Sequence, residues 1–372
     1  MGKIVMEQEE LEEILDNYDY KKSLFISELR KLNEGNIKNI EGLKVLTSKF
    51  TDFNSNFKSL KEIQAEIQKI SQASSKINVK DFEKNLKDIV DSAAKKLQIE
   101  NDLVAVMGGE PEAMYKKAIQ AMGGMSTFVK RGQKVVVKPN IGWDKKPELS
   151  ANTNPLLVAA IVKDCLNAGA SEVVVFDHTC DEWQSCYKNS GIEDAVKNAG
   201  GRMAFAHDEK YYKNVALPKG VRLKEAKFHE AILNCDVWIN VPVLKNHGGA
   251  KMSIAMKNFM GIVWDRRFWH SNDLQQCIAD CTTFNKMPVL NIVDAYRIMT
   301  QNGPKGKSIE DVQVAKAVFM SRDIVAVDTA AVKFFNQFKE MKMEDVGHLA
   351  LAEKLNVGTT KIDNLKVAKF KI

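Results

Sequence analysis

Residues 235–265 read CDVWINVPVLKNHGGAKMSIAMKNFMGIVWD. The first part, VWINVPV, is an apolar run with the length and β-branched character of a buried strand. Directly behind it stand Lys245, Asn246, His247, Gly248 and Gly249, and a second polar group, Lys257 and Asn258, follows inside a methionine-rich stretch. Charge and backbone freedom where a buried strand stops are the pattern of a sheet that opens onto a ligand crevice at its strand ends.

The same texture repeats outward from this stretch. LVAVM at 103–107, KVVVKPN at 134–140, SEVVVFD at 171–177, PVLNIVDA at 288–295 and AVFMS at 317–321 are short β-rich runs separated by amphipathic segments. Strands alternating with helices predict an α/β fold, a largely parallel β-sheet flanked by helices. Nearly every run ends in charge: Lys138 and Asn140 at the end of the second, Asp177 and His178 at the end of the third, Asp294 in the fourth, Arg322 and Asp323 after the last.

Residues 1–100 differ. They contain no proline, and Leu43, Leu46, Phe50, Phe53, Phe57, Leu60 and Ile67 recur at helical spacing. Helices are expected over 7–32 and 81–97, which makes 1–100 a helical bundle or coiled-coil-like accessory region ahead of an α/β domain at 101–372. This helical arm is the candidate element for homo-oligomerisation.

The 372 residues carry a formal net charge of +6, and because residues 1–100 are close to neutral the excess lies in the α/β part. It suits a small anionic ligand and is too dispersed for nucleic acid. No segment has the roughly 18 consecutive apolar residues of a membrane span, and the N-terminus, MGKIVMEQEELEEIL, is acidic, so no membrane partner and a cytoplasmic location are expected. The six cysteines are expected to be reduced, with Cys277 and Cys281 a packed helical pair rather than half of a zinc site.

The strand-end residues compose a candidate site. Lys138, Lys245 and Lys257 are expected to form a cationic pocket for a phosphate or carboxylate, with Asn140, Asn152 and Asn258 beside them and Gly248 and Gly249 allowing close backbone approach. His247 is the proton-transfer candidate, and Asp177 and Asp294 are metal or acid/base candidates. Asp323 and Asp328 read first as helix caps. MSIAMKNFMG reads as a helix start that buries Met252, Ala255, Met256 and Met260, where Lys257 opposes the helix dipole unless it meets an anion. WDRRFWHS, at 264–271, reads as an aromatic and basic wall or lid. MGGEPEA, at 107–113, reads as an ordinary tight turn.

The order VVVKPNIGW, ANTNP, AGASEVVVFD, CDVWINVPVLKNH, AMKNFMG, PVLNIVDA, NGPKG and SRDIVAVD resembles the domain of unknown function 362 family over nearly all of 103–372. The resemblance implies a β/α fold and gives weight to Lys138, Pro139, Asn140, Asn152, Asp177, Lys245, His247, Lys257, Asn258, Asp294, Asp323 and Asp328, without naming a reaction. Some members carry ferredoxin-type cysteine clusters and many a twin-arginine export signal; this sequence shows neither, and no ferredoxin-type iron-sulfur cluster is expected. A fainter similarity to the nickel-pincer lactate racemases implies His247 as an acid/base or metal ligand, with Lys245 or Lys257 holding a cofactor's phosphate or carboxylate. The leading expectation is an enzyme that binds a small anionic substrate or a phosphorylated cofactor. A scaffold assembled through the helical arm and a metal- or redox-linked protein with a divalent metal stand as alternatives.

Overall fold

The computed structural model describes residues 101–372, so the helices and the assembly element expected within 1–100 lie outside the described residues. Short runs rich in valine and isoleucine and buried along their length form the central strands, and shorter or more polar segments form the outer ones. They are β1 (Leu103–Met107), β2 (Lys134–Pro139), β3 (Glu172–Val175), β4 (Arg202–Met203), β5 (Tyr212–Ala216), β6 (Glu225–His229), β7 (Val237–Val241), β8 (Val243–His247), β9 (Lys251–Ser253), β10 (Leu290–Met299), β11 (Val312–Ser321) and β12 (Val367–Lys371).

The main sheet runs β12-β1-β11-β10-β7-β2-β3-β4, with β8 joined to β10 and β9 to β8, while β5 and β6 form a separate antiparallel pair. β2 pairs parallel with β3 and β7, β3 with β4, β10 with β7 and β8, and β1 with β12. In the main sheet, β11 and β9 run against their neighbours. The fold is α/β, a mostly parallel mixed sheet flanked by helices, as the alternating pattern predicts.

The helices are α1 (Pro111–Ala121), α2 (Pro155–Asn167), α3 (Trp183–Asn189), α4 (Ile192–Asn198), α5 (Glu230–Asn234), α6 (Arg267–Ser271), α7 (Leu274–Cys281), α8 (Ile324–Phe335) and α9 (His348–Lys354). Their starts follow from sequence. Proline opens α1 and α2, where a missing N–H costs nothing. Asp323 caps α8 as expected, accepting from the N–H groups of Val325 and Ala326, an arrangement worth about 1 kcal/mol. Cys277 and Cys281 are both buried on α7.

Four expectations about local structure are corrected. VLKNH is not a loop beyond a strand: Pro242 cannot donate to the ladder, so β7 ends there and the chain resumes as β8 along β10. Gly248 and Gly249 are the turn of the β8–β9 hairpin, in which His247 faces Lys251, rather than a close-approach loop. The segment behind the hairpin is not an α-helix but a 3-10 helix, Lys257–Ile262, although Met252, Ala255, Met256 and Met260 are buried as expected. Because β11 is antiparallel to β10, it ends at Ser321, level with Asn291 where β10 begins, and Arg322 and Asp323 run on toward the amino-terminal ends of β10 and β7 rather than beyond their carboxyl ends.

A row of polar side chains crosses the sheet's centre in one register. Lys138 on β2 lies opposite Asn240 on β7, Asn240 opposite Asn291 on β10, and Asn291 opposite Ser321 on β11. All four are buried without exposure. Asn258, from the 3-10 helix, donates to the Asn240 side-chain oxygen at 2.8 Å, and Asn240 donates to that of Asn291 at 3.0 Å. A buried polar chain is stable only when each member is satisfied, so this row locks the 3-10 segment to the sheet.

Candidate functional site

The site begins at the end of β2. The Lys138 ammonium lies 2.9 Å from Asp177 Oδ1 and donates to Asn258 Oδ1 at 2.7 Å. Asp177, two residues past the parallel neighbour β3, accepts with Oδ2 from the Ile141 N–H at 2.6 Å. Burial pulls the Lys138 pKa down and the Asp177 carboxylate opposes that pull. This pairing needs Gly261, where a Cβ would fall 1.7 Å from Asp177 Oδ1 and 2.4 Å from Lys138 Nζ.

Lys245 enters from β8. Its Nζ donates to Asn140 Oδ1 at 3.1 Å and to the Ala151 carbonyl. Burial, with Lys257 and Lys138 nearby, brings its pKa down to about 7. Lys257 opens the 3-10 helix, and its position is set from outside that helix: the buried Asp328 carboxylate on α8 accepts from the N–H groups of Ala255 and Met256 at 2.7 and 3.0 Å. Asp328 therefore caps a neighbouring segment rather than its own helix, and burial pushes its pKa up to about 7. Among the described residues the Lys257 ammonium has neither a hydrogen bond nor an ion pair, and burial together with Arg266 and Lys138 lowers its pKa to about 8.

His247 closes the same wall. Its Nδ1 accepts from the N–H groups of Gly249 and Ala250 at 3.1 and 3.0 Å, which places the ring proton on Nε2. Burial, Lys257 and Lys245 depress its pKa to about 2. The ring is a fixed neutral donor whose only lone pair is engaged, so the base half of the proton-transfer role expected from sequence is not available to it.

On the opposite side Arg266 donates to the carbonyls of His178 and Thr179, both at 2.8 Å, and to Cys180 Sγ at 3.4 Å. His178 stacks flat on Trp264, centroids 4.8 Å apart, and its Nδ1 lies 2.9 Å from the Val263 carbonyl. Burial and Arg266 lower its pKa to about 4, so it is a neutral structural ring. Of the WDRRFWHS segment, Arg266, Arg267, His270 and Ser271 face the cavity, while Trp269 is buried in the core.

These groups surround a cavity of about 610 Å³ lined by Lys138, Lys245, Lys257, Arg266 and Arg267, with Asp177 as the one carboxylate that the described residues give it. Asn140, Asn258 and His247 also line it. Asp294 does not. It sits mid-strand because β10 continues to Met299, and its carboxyl accepts from the Asn154 and Tyr296 N–H groups, holding the start of α2. Burial raises its pKa to about 6. Asn152 is also outside the lining; its side chain ties together the loop at Trp143 and Lys145. The cap of α2 is Asn154, which accepts from the Leu156 N–H.

Among the described residues, no three histidine, cysteine, aspartate or glutamate side chains are grouped so as to hold a metal ion. Asp177 is engaged by Lys138 and the Ile141 N–H, and His247 Nδ1 by its own turn, so the expected donors do not fit a protein-ligated metal centre. The glycines of MGGEPEA, read as a tight turn, form a bend packed against Ile372. Cys180, Gly261 and Pro304 line the cavity and escaped the sequence reading. Cys180 had one available signal, its place three residues beyond Asp177.

Comparison with known proteins adds relatives. The chain is 27% identical over 235 residues to the thylakoid-associated protein sll1697 of Synechocystis, an alignment that takes in 58% of this chain and 67% of that one. Among solved structures it is similar to the lactate racemase apoprotein of Thermoanaerobacterium thermosaccharolyticum, at 16% identity and a TM-score of 0.41. It is also similar to a structural-genomics protein of Thermotoga maritima, at 10% identity and a TM-score of 0.37. Each of these two alignments covers 66% of this chain and spans 58% of the other. Among the described residues, no helix is long and apolar enough to cross a membrane. Residues 135–333, more than half of the sequence, match the domain of unknown function DUF362, and the chain belongs to that family.

Proposed function

We propose that the cavity binds a small anionic molecule, a carboxylate or phosphate borne by a substrate or cofactor, and that the chain is an enzyme acting on it. The observation that carries this reading is Lys257. Lys138 and Lys245 are each held by protein acceptors, whereas Lys257 is a partly buried cation without a partner among the described residues, which also give the cavity four other Lys and Arg side chains and one carboxylate. A charge kept out of water and unpaired is unfavourable, and an anion in the cavity would relieve it. His247 Nε2–H and the Arg267 side chain are further donors for such a ligand.

Thermal unfolding in the presence of oxalate, sulfate and phosphate tests the proposal. A ligand-dependent rise in Tm is expected for the wild type and its loss in Lys257→Met and Lys245→Met, with both variants folded. Equal shifts in wild type and both variants would remove the cavity as the site. A cytoplasmic setting is part of the same proposal, and recovery of the protein in a membrane fraction would overturn that part.

A further inference from the structure

We infer that Lys257 is a nucleophile that forms an imine with a small 2-oxo carboxylate. The inference rests on the anion-binding reading above and names its substrate class. Three lysines reach the cavity, and two are committed: Lys138 to Asp177 and Asn258, Lys245 to Asn140 and the Ala151 carbonyl. The Lys257 nitrogen has no acceptor among the described residues, so its lone pair, once the proton leaves, is free. Desolvation and neighbouring cations are the two devices that turn a lysine into a nucleophilic amine near neutral pH, and both act here. With a pKa of about 8, roughly a tenth of the side chain is free amine at pH 7.

The surroundings match the other end of such a substrate. Arg266 and Arg267 offer positive charge to a carboxylate, and Val243, Ile254 and Met260 supply apolar wall for a short carbon chain. His247 brings a neutral Nε2–H donor for the oxygen of the attacked carbonyl, and cannot compete as a base. In the reaction the amine lone pair forms the C–N bond while the carbonyl π pair moves to oxygen, which takes up a proton. The first proton comes from the attacking nitrogen; the carbinolamine oxygen then takes up the second N–H proton and leaves as water with its bonding pair, while the nitrogen lone pair forms the C=N bond of the imine. Amine and ketone give imine and one water, with no oxidant or reductant.

The test uses the full chain, pyruvate and sodium cyanoborohydride, read by intact-mass and peptide mass spectrometry. Reduction of the imine is expected to leave one carboxyethyl group per chain, on the peptide containing Lys257, with a yield rising between about pH 6 and 9. Lys257→Arg, which keeps the charge, and Lys257→Met, which removes it, are each expected to lower labelling about tenfold or more while remaining folded. Labelling spread over other lysines and unchanged in both variants would overturn the inference. Absence of label with an intact oxalate-induced Tm rise would overturn the imine and leave the anion site standing. Absence of both would overturn the two together.

Discussion

The cavity has two unlike sides. Beneath it, Lys138, Asp177, Asn258, Asn240 and Asn291 form a buried polar layer in which cation and carboxylate meet and each amide is matched. Facing it, Lys257 is unpaired among the described residues, Lys245 is depressed toward neutrality and His247 is held neutral. Similar residue types thus differ in setting: Lys138 is matched by a carboxylate and an amide, whereas Lys257, among the described residues, meets no acceptor. Stability should fall when the first side is broken and rise when the second is neutralised.

The largest effect is expected at Asp177. Asp177→Ala leaves the fully buried Lys138 ammonium without its counter-charge, and should destabilise by about 3 to 5 kcal/mol in chemical denaturation. Gly261→Ala attacks the same pair sterically, since its Cβ would overlap the Asp177 carboxylate; a loss of about 1 to 3 kcal/mol is expected. If both variants unfold at the wild-type midpoint, the layer beneath the cavity is not the structural element described here.

Lys257→Met tests the other side and has the opposite sign. Removing an unpaired, desolvated cation should stabilise by roughly 1 kcal/mol or more below pH 8. The folded-state pKa is lowered, so between about pH 8 and the usual lysine range the unfolded chain binds more protons, and the wild type recovers stability as pH rises. The advantage of the variant should therefore shrink above pH 8. Oxalate binding should show a related dependence, weakening as pH rises through about 7 to 8 and Lys245 and Lys257 lose their charge.

Much of the described fold was legible because its strands are runs of β-branched residues between helix starts that proline or a capping side chain marks. The composition of the cavity was legible for a related reason: Lys138, Asp177, Lys245 and Lys257 are charges placed beside apolar runs. Hydrogen-bond bookkeeping was not legible. Lys138 and Lys257 look alike in sequence, and only the arrival of Asp177 and Asn258 from other elements separates a structural cation from an open one. The direction of β11 was equally hidden, since AVFMS has the same pattern in either orientation, and with it the exclusion of Asp323 from the site. Asp294 misled because LNIV looks complete as a strand, whereas β10 runs on through YRIM.

His247 gives the smallest and most discriminating test of the comparison. A histidine near the surface would titrate near pH 6.5, and one serving as a base would be tuned toward neutrality. Here two N–H groups of the β8–β9 turn point at Nδ1, and protonation would have to break both bonds beside Lys257 and Lys245. The ring resonances of His247 should therefore stay unchanged between about pH 5 and 8, where an unperturbed histidine moves fully. His247→Ala should cost about 1 to 3 kcal/mol by leaving the turn N–H groups unmatched, and Asn should restore part of that through its side-chain oxygen. A His247 that titrates near neutrality would restore to it the base role expected from sequence.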